Sequence, residues 1–217
     1  MQELSTIQYI AVAALPLLFA ITVHEVAHGW MALRFGDRTA QMLGRLTLNP
    51  VKHIDPLGTI VIPVLLMMMG GFIFGWAKPV PVDWRNLRNP KRDMAVVALA
   101  GPLANLAMAL GWAIVAKIGL LLVDSFPWAS VPMVLMGKIG VFLNLILMVL
   151  NLLPLPPLDG GRVLAGLLPN PLAAQVNRIE PYGFFILLGL LVTGVLGMLI
   201  GPPIHLLERI IYGLMGL

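Results

Sequence analysis

Residues 7–33 read IQYIAVAALPLLFAITVHEVAHGWMAL, an apolar run interrupted near its end by three ionisable side chains, His24, Glu25 and His28. A helix crossing a hydrocarbon core needs about 20 residues at 1.5 Å rise each, and this run is long enough. No basic segment precedes it and it exceeds the apolar core of a signal peptide, so it reads as a retained helix. Outward from it, residues 94–123, 131–153 and 182–200 are runs of the same kind. Residues 57–74 contain Pro63, Gly70 and Gly71 and read either as a further crossing or as a re-entrant hairpin. Of the 217 residues, 59% are apolar and 11% charged, which excludes an ordinary soluble domain. The expected fold is an all-α polytopic membrane protein with four to five transmembrane helices. It forms a single domain over residues 1–217 with no appended soluble domain.

The charges describe topology. Arg34, Arg38, Arg45 and Lys52 follow the first run, and Lys78, Arg85, Arg88, Lys91 and Arg92 precede the run at 94. Both segments read as cytoplasmic, which favours the re-entrant reading of 57–74. The net charge of +4 comes from 14 Lys and Arg spread between apolar runs rather than gathered on one face, so nucleic acid is not an expected partner. Absence of cysteine excludes disulfides and thiolate metal ligands. Residues 42–48 and 76–82 read as short extended segments, the second because Pro79 and Pro81 bar a helix. Residues 204–217, with His205, Glu208 and Arg209, read as an amphipathic interfacial segment.

His24 and His28 stand four apart and project from one helical face, the spacing with which a helix grips one zinc ion. Glu25 is then placed as general base towards a water whose pKa the metal lowers to about 7. Such a pattern arises by chance on solvated helices. Inside an apolar helix each charge costs roughly 2.5 kcal/mol or more unless paired or coordinated, which removes the bland surface reading. A catalytic zinc needs a third protein ligand and an open position. Asp159, in NLLPLPPLDGG at 151–161, is the best candidate. Counting 1.5 Å per residue from Lys138 and back from Arg34 places it at the depth of the two histidines. Pro154, Pro156 and Pro157 break the helix there, and broken backbone at membrane depth is tolerated only where it lines protein or water. The duller reading makes Asp159 the cap of a helix starting near Gly161. His53 and Asp55 read as part of a turn rather than as ligands, and His205 as interfacial.

With these residues in view, the sequence resembles the site-2 protease family of intramembrane zinc metalloproteases. His24-Glu25-x-x-His28 and Leu158-Asp159-Gly160 are similar to the family's two zinc motifs. The likeness extends through Gly101-Pro102-x-x-Asn105 and Asn151-x-x-Pro154-x-Pro156. The resemblance implies one Zn2+ per chain held by His24, His28 and Asp159, with Glu25 as catalytic acid/base. It also implies substrate-positioning roles for Asn105 and Asn151, although a buried Asn equally bonds a neighbouring helix. It further implies a short membrane-associated β segment near the active site, which Gly75 to Val82 resembles and which could pair with an unwound substrate. The expected setting is a lipid bilayer, in a prokaryotic cell membrane, with transmembrane proteins as substrates. Two rivals use the same residues: a zinc transporter, which needs ligands strung across several depths, and a catalytically silent binding protein, for which Glu25 has no purpose.

Overall fold

The structure, a computed structural model, describes residues 6–61, 65 and 78–217. Eight α-helices occur among them. The long ones are α1 (Thr6–Arg34), α3 (Pro90–Leu121), α4 (Pro127–Asn151) and α8 (Val195–Met215), and each carries a stretch long and apolar enough to cross a membrane. The others are α2 (Thr39–Met42), α5 (Asp159–Leu167), α6 (Asn170–Asn177) and α7 (Glu180–Val192). Pro90 and Pro127 open α3 and α4, where a missing N–H costs nothing and the fixed φ suits the first turn. The chain is a multi-pass membrane protein.

In lipid, helices associate through close packing rather than by burying oil, so small residues line the contacts. α3 and α4 run antiparallel through wholly buried Ala109, Ala113 and Ala116. A methyl added at Gly137 would come within 2.6 Å of the Ala116 backbone nitrogen, which shows how near the two backbones lie. Val141, Leu145 and Val149 of α4 then meet Ile204 and Ile211 of α8 in the main apolar cluster. α1 lies antiparallel to α3: Asn105 Nδ2 reaches the Ala20 carbonyl at 3.2 Å, and near the other end the Arg88 amide donates to the Phe35 carbonyl at 3.1 Å. The basic segments after α1 and before α3 therefore share one end of the bundle.

Three expectations change. The run at 182–200 is not one helix, because Gly194 takes a left-handed φ of 75° and separates α7 from α8. Residues 204–217 are correspondingly not an interfacial segment; through residue 215 they continue α8 past Pro202 and Pro203, and Ile204 and Ile211 bury their side chains in the core. No strand occurs among the described residues. Residues 42–48 are the end of α2 followed by turn and loop; of the segment expected at 76–82, residues 76 and 77 fall outside the described residues, and 78–83 are irregular chain held by three side chains and one backbone bond to His53 rather than by a ladder. The hairpin expected at 57–74 falls mostly outside the described residues; Pro56–Val61 is a π-helical turn.

Asp37, fully buried, fastens the loop after α1 to the segment before α3. Its carboxylate accepts from the Thr39 amide at 2.9 Å and hydroxyl at 2.5 Å, the Asn86 side-chain amide at 3.1 Å and the Asp83 amide at 2.8 Å. Burial opposes ionisation, but these donors outweigh it and hold the carboxyl below its ordinary value. A depressed folded pKa contributes stability that is complete above the unfolded value of about 3.9 and is lost as pH falls through the folded value. Asp37→Ala leaves four part-buried donors without their acceptor and is expected to cost about 1–2 kcal/mol at pH 7. Thermal melts of detergent-purified protein check this. The gap between native and variant should narrow below about pH 4, and a pH-independent gap would contradict the assignment.

Candidate metal centre

His24 and His28 lie one turn apart on α1 and face the first residue of α5. Their Nε2 atoms are 3.0 Å apart, and each is 3.2 Å from Asp159 Oδ2. All three residues are buried, with 6–8% of their surfaces exposed. They form the one group of three or more metal-ligand side chains found among the described residues. Asp159 is the first residue of α5 rather than its cap, which is Leu158. The helix break at Pro154 to Pro157 turns the chain so that α5 begins beside α1. Gly160 permits this turn, since a Cβ there would run into the Leu152 and Leu153 carbonyls.

The ring geometry fixes where the protons lie. His28 Nδ1 is 2.7 Å from the Val97 carbonyl, which can only accept, so Nδ1 donates, and in the neutral ring that a metal requires Nε2 carries the lone pair. His24 Nδ1 is 2.5 Å from Asn105 Oδ1 and does the same. Two lone pairs and a carboxylate oxygen thus converge, and Asp159 Oδ2 is buried with no hydrogen-bond donor. Three acceptors facing one another repel unless a cation joins them. Zinc fits: bonds of about 2.0–2.1 Å at a tetrahedral angle separate ligand atoms by roughly 3.3 Å, close to the edges of 3.0, 3.2 and 3.2 Å. On the side of α3, Gly101 clears the space, since a Cβ there would lie 2.6 Å from Cε1 of both rings.

Glu25, half-buried, accepts at 2.6 Å from the Val80 amide. Val80 belongs to the irregular segment 78–83, which lies along α1. Arg45 Nη2 holds this segment at the Lys78 carbonyl, 2.9 Å away, and the Lys78 amide donates to the His53 carbonyl at 2.9 Å. Gly29, one turn beyond Glu25, admits the Val80 side chain; a Cβ there would meet Val80 Cγ1 at 2.7 Å.

Of the other singled-out residues, Asn105 is wholly buried behind His24 and half-buried Asn151 turns its amide back to the Leu147 carbonyl at 2.9 Å. Asp55 accepts from the Leu57 and Gly58 amides at 3.0 and 2.7 Å, a turn as expected, and His53 bonds the Thr47 carbonyl at 2.9 Å. The sequence reading missed Asn144, wholly buried and bonded to Asn105. Its signal was present as a further polar residue inside an apolar run.

Comparison with known proteins gives the family. The profile of Peptidase family M50 matches residues 12–130 and 127–192. The chain is 38% identical over 203 residues to "Putative zinc metalloprotease YwhC" of Bacillus subtilis, covering 93% of this chain and 88% of that one. It is 35% identical over 177 residues to "Putative zinc metalloprotease Rip2" of Mycolicibacterium smegmatis, covering 81% of this chain and 64% of that one. It is 28% identical over 181 residues to "Stage IV sporulation protein FB" of Bacillus subtilis, covering 81% of this chain and 58% of that one. No solved structure matches. The chain belongs to Peptidase family M50, the site-2 proteases, and is a zinc metallopeptidase of the membrane.

Proposed function

We propose that the protein hydrolyses peptide bonds of membrane-spanning proteins, with His24, His28 and Asp159 holding one zinc ion and Glu25 moving the proton. The observation that carries this reading is the triangle of two imidazole lone pairs and one carboxylate oxygen with Glu25 in the same helical turn. Bound zinc supplies Lewis acidity, polarising the scissile carbonyl and lowering the pKa of water. Glu25 accepts the proton from the attacking water and returns it to the leaving amine nitrogen, so one carboxylate serves as base and then acid. The Val80 amide orients that carboxylate by holding one of its oxygens. Asn151, at the end of α4, is proposed to position the substrate backbone.

A peptide bond within a helix is shielded by its own hydrogen bonds, so the substrate must be unwound before attack. The irregular segment 78–83 lies along α1 at Glu25 and is where an extended substrate would be held. Cleavage of single-span substrates by purified protein in detergent or proteoliposomes tests the reading, with products read by mass spectrometry. Chelation is expected to reduce cleavage to background and added zinc to restore it. Cleavage that survives complete metal removal would contradict the reading.

A further inference from the structure

Behind His24 two wholly buried asparagines form a chain of hydrogen bonds. Asn144 Nδ2 donates to the Gly140 carbonyl at 2.8 Å. Asn105 Nδ2 donates to Asn144 Oδ1 at 2.9 Å and to the Ala20 carbonyl at 3.2 Å. Asn105 Oδ1 meets His24 Nδ1 at 2.5 Å. Backbone carbonyls only accept, so Gly140 and Ala20 fix the direction of the whole series. Asn144 must turn its oxygen to Asn105, and Asn105 must turn its oxygen to the ring. His24 then donates from Nδ1, and the lone pair on Nε2 points at Asp159.

We propose that Asn144 and Asn105 are positioning residues that lock His24 in its Nδ1-protonated form and thereby set zinc affinity. This inference rests on the ligand set proposed above. Were the Asn105 amide reversed, its N–H would face Nδ1 and drive the ring proton onto Nε2, where it blocks coordination. Reversal also sets Asn105 oxygen against the Ala20 carbonyl and Asn144 oxygen. The relay passes from α4 through α3 to α1, so correct seating of three helices and readiness of the site are one condition. Within this chain both amide atoms of Asn105 are engaged and fully buried, which suits service to the ring rather than contact with a substrate.

The test is zinc affinity, measured by chelator competition on folded, detergent-purified protein. Loss of a partner that orients a ligating histidine typically weakens binding about 10–100-fold. Asn105→Leu, of similar size and without an acceptor, is expected at the upper end of that range, and Asn144→Leu, acting one step removed, near the lower end. Asn105→Asp should bind more tightly than Asn105→Leu, because a carboxylate oxygen still accepts from Nδ1, and more weakly than native, because its second oxygen faces the Ala20 carbonyl and Asn144 Oδ1 without a hydrogen to donate. A purely structural pair would lower the melting temperature and leave the affinity of folded protein unchanged. Asn105→Leu binding zinc as tightly as native protein overturns the proposal. Should the Leu variants not fold, 15N spectra of histidine-labelled, metal-free native protein, taken at a pH where His24 is neutral, decide it: the single ring proton on Nδ1 supports the relay and on Nε2 overturns it. Native protein that binds no zinc would instead refute the ligand set.

Discussion

Glu25→Gln is expected to lower the rate of substrate cleavage by roughly 10²–10⁴-fold, the usual contribution of a general base, while zinc content stays near that of the native protein. Gln has the reach of Glu and its side-chain oxygen still accepts a hydrogen bond from the Val80 amide, so folding and the seat of segment 78–83 are retained. What is lost is the capacity to take a proton at neutral pH. The metal triangle does not include Glu25, so the loss should fall on kcat with zinc undisturbed. Native turnover in the variant would remove Glu25 from the chemistry. Loss of zinc would make it a structural element of the site.

Gly101→Ala is expected to weaken zinc binding about 100-fold or more, although residue 101 is not a ligand. The added methyl would lie 2.6 Å from Cε1 of both rings, and both rings are tethered at Nδ1, His24 to Asn105 and His28 to the Val97 carbonyl. Neither can yield without breaking a buried hydrogen bond, and α3 cannot retreat without opening its contact with α1. Overpacking of this kind also costs about 1–3 kcal/mol of stability. Gly111→Ala is the control on the same helix, since no heavy atom lies within 4 Å of the position its Cβ would take. It should leave zinc affinity unchanged and stabilise the helix by up to about 1 kcal/mol. Native zinc affinity in Gly101→Ala would contradict the packing described around the two rings.

Much of the fold was legible because lipid imposes a simple condition: a backbone crossing hydrocarbon must be helical, so long apolar runs announce α1, α3 and α4 directly. The candidate site residues were legible for the complementary reason, that His24, Glu25, His28 and Asp159 are too costly at that depth to lack a purpose. The end of the chain was misread because Gly201, Pro202 and Pro203 look like a break, whereas the break is made by Gly194, whose left-handed φ has no local signature stronger than the glycine itself. Packing of Ile204 and Ile211 against α4 holds the helix together across the two prolines. Residues 76–82 were read as extended from Pro79 and Pro81, but the described part, 78–83, is attached through Glu25, Arg45 and Asp37 side chains and a backbone bond to His53, which no periodicity reports. Asn144 escaped notice because its role depends on Asn105, 39 residues away, and on which way each amide faces.

Zinc content per chain tests the central claim most directly, measured by elemental analysis of native protein and the His24→Ala, His28→Ala double variant purified in parallel. The account predicts one zinc for the native chain and none for the variant, because Asp159 alone cannot hold the ion. A double variant that keeps one zinc per chain would contradict it.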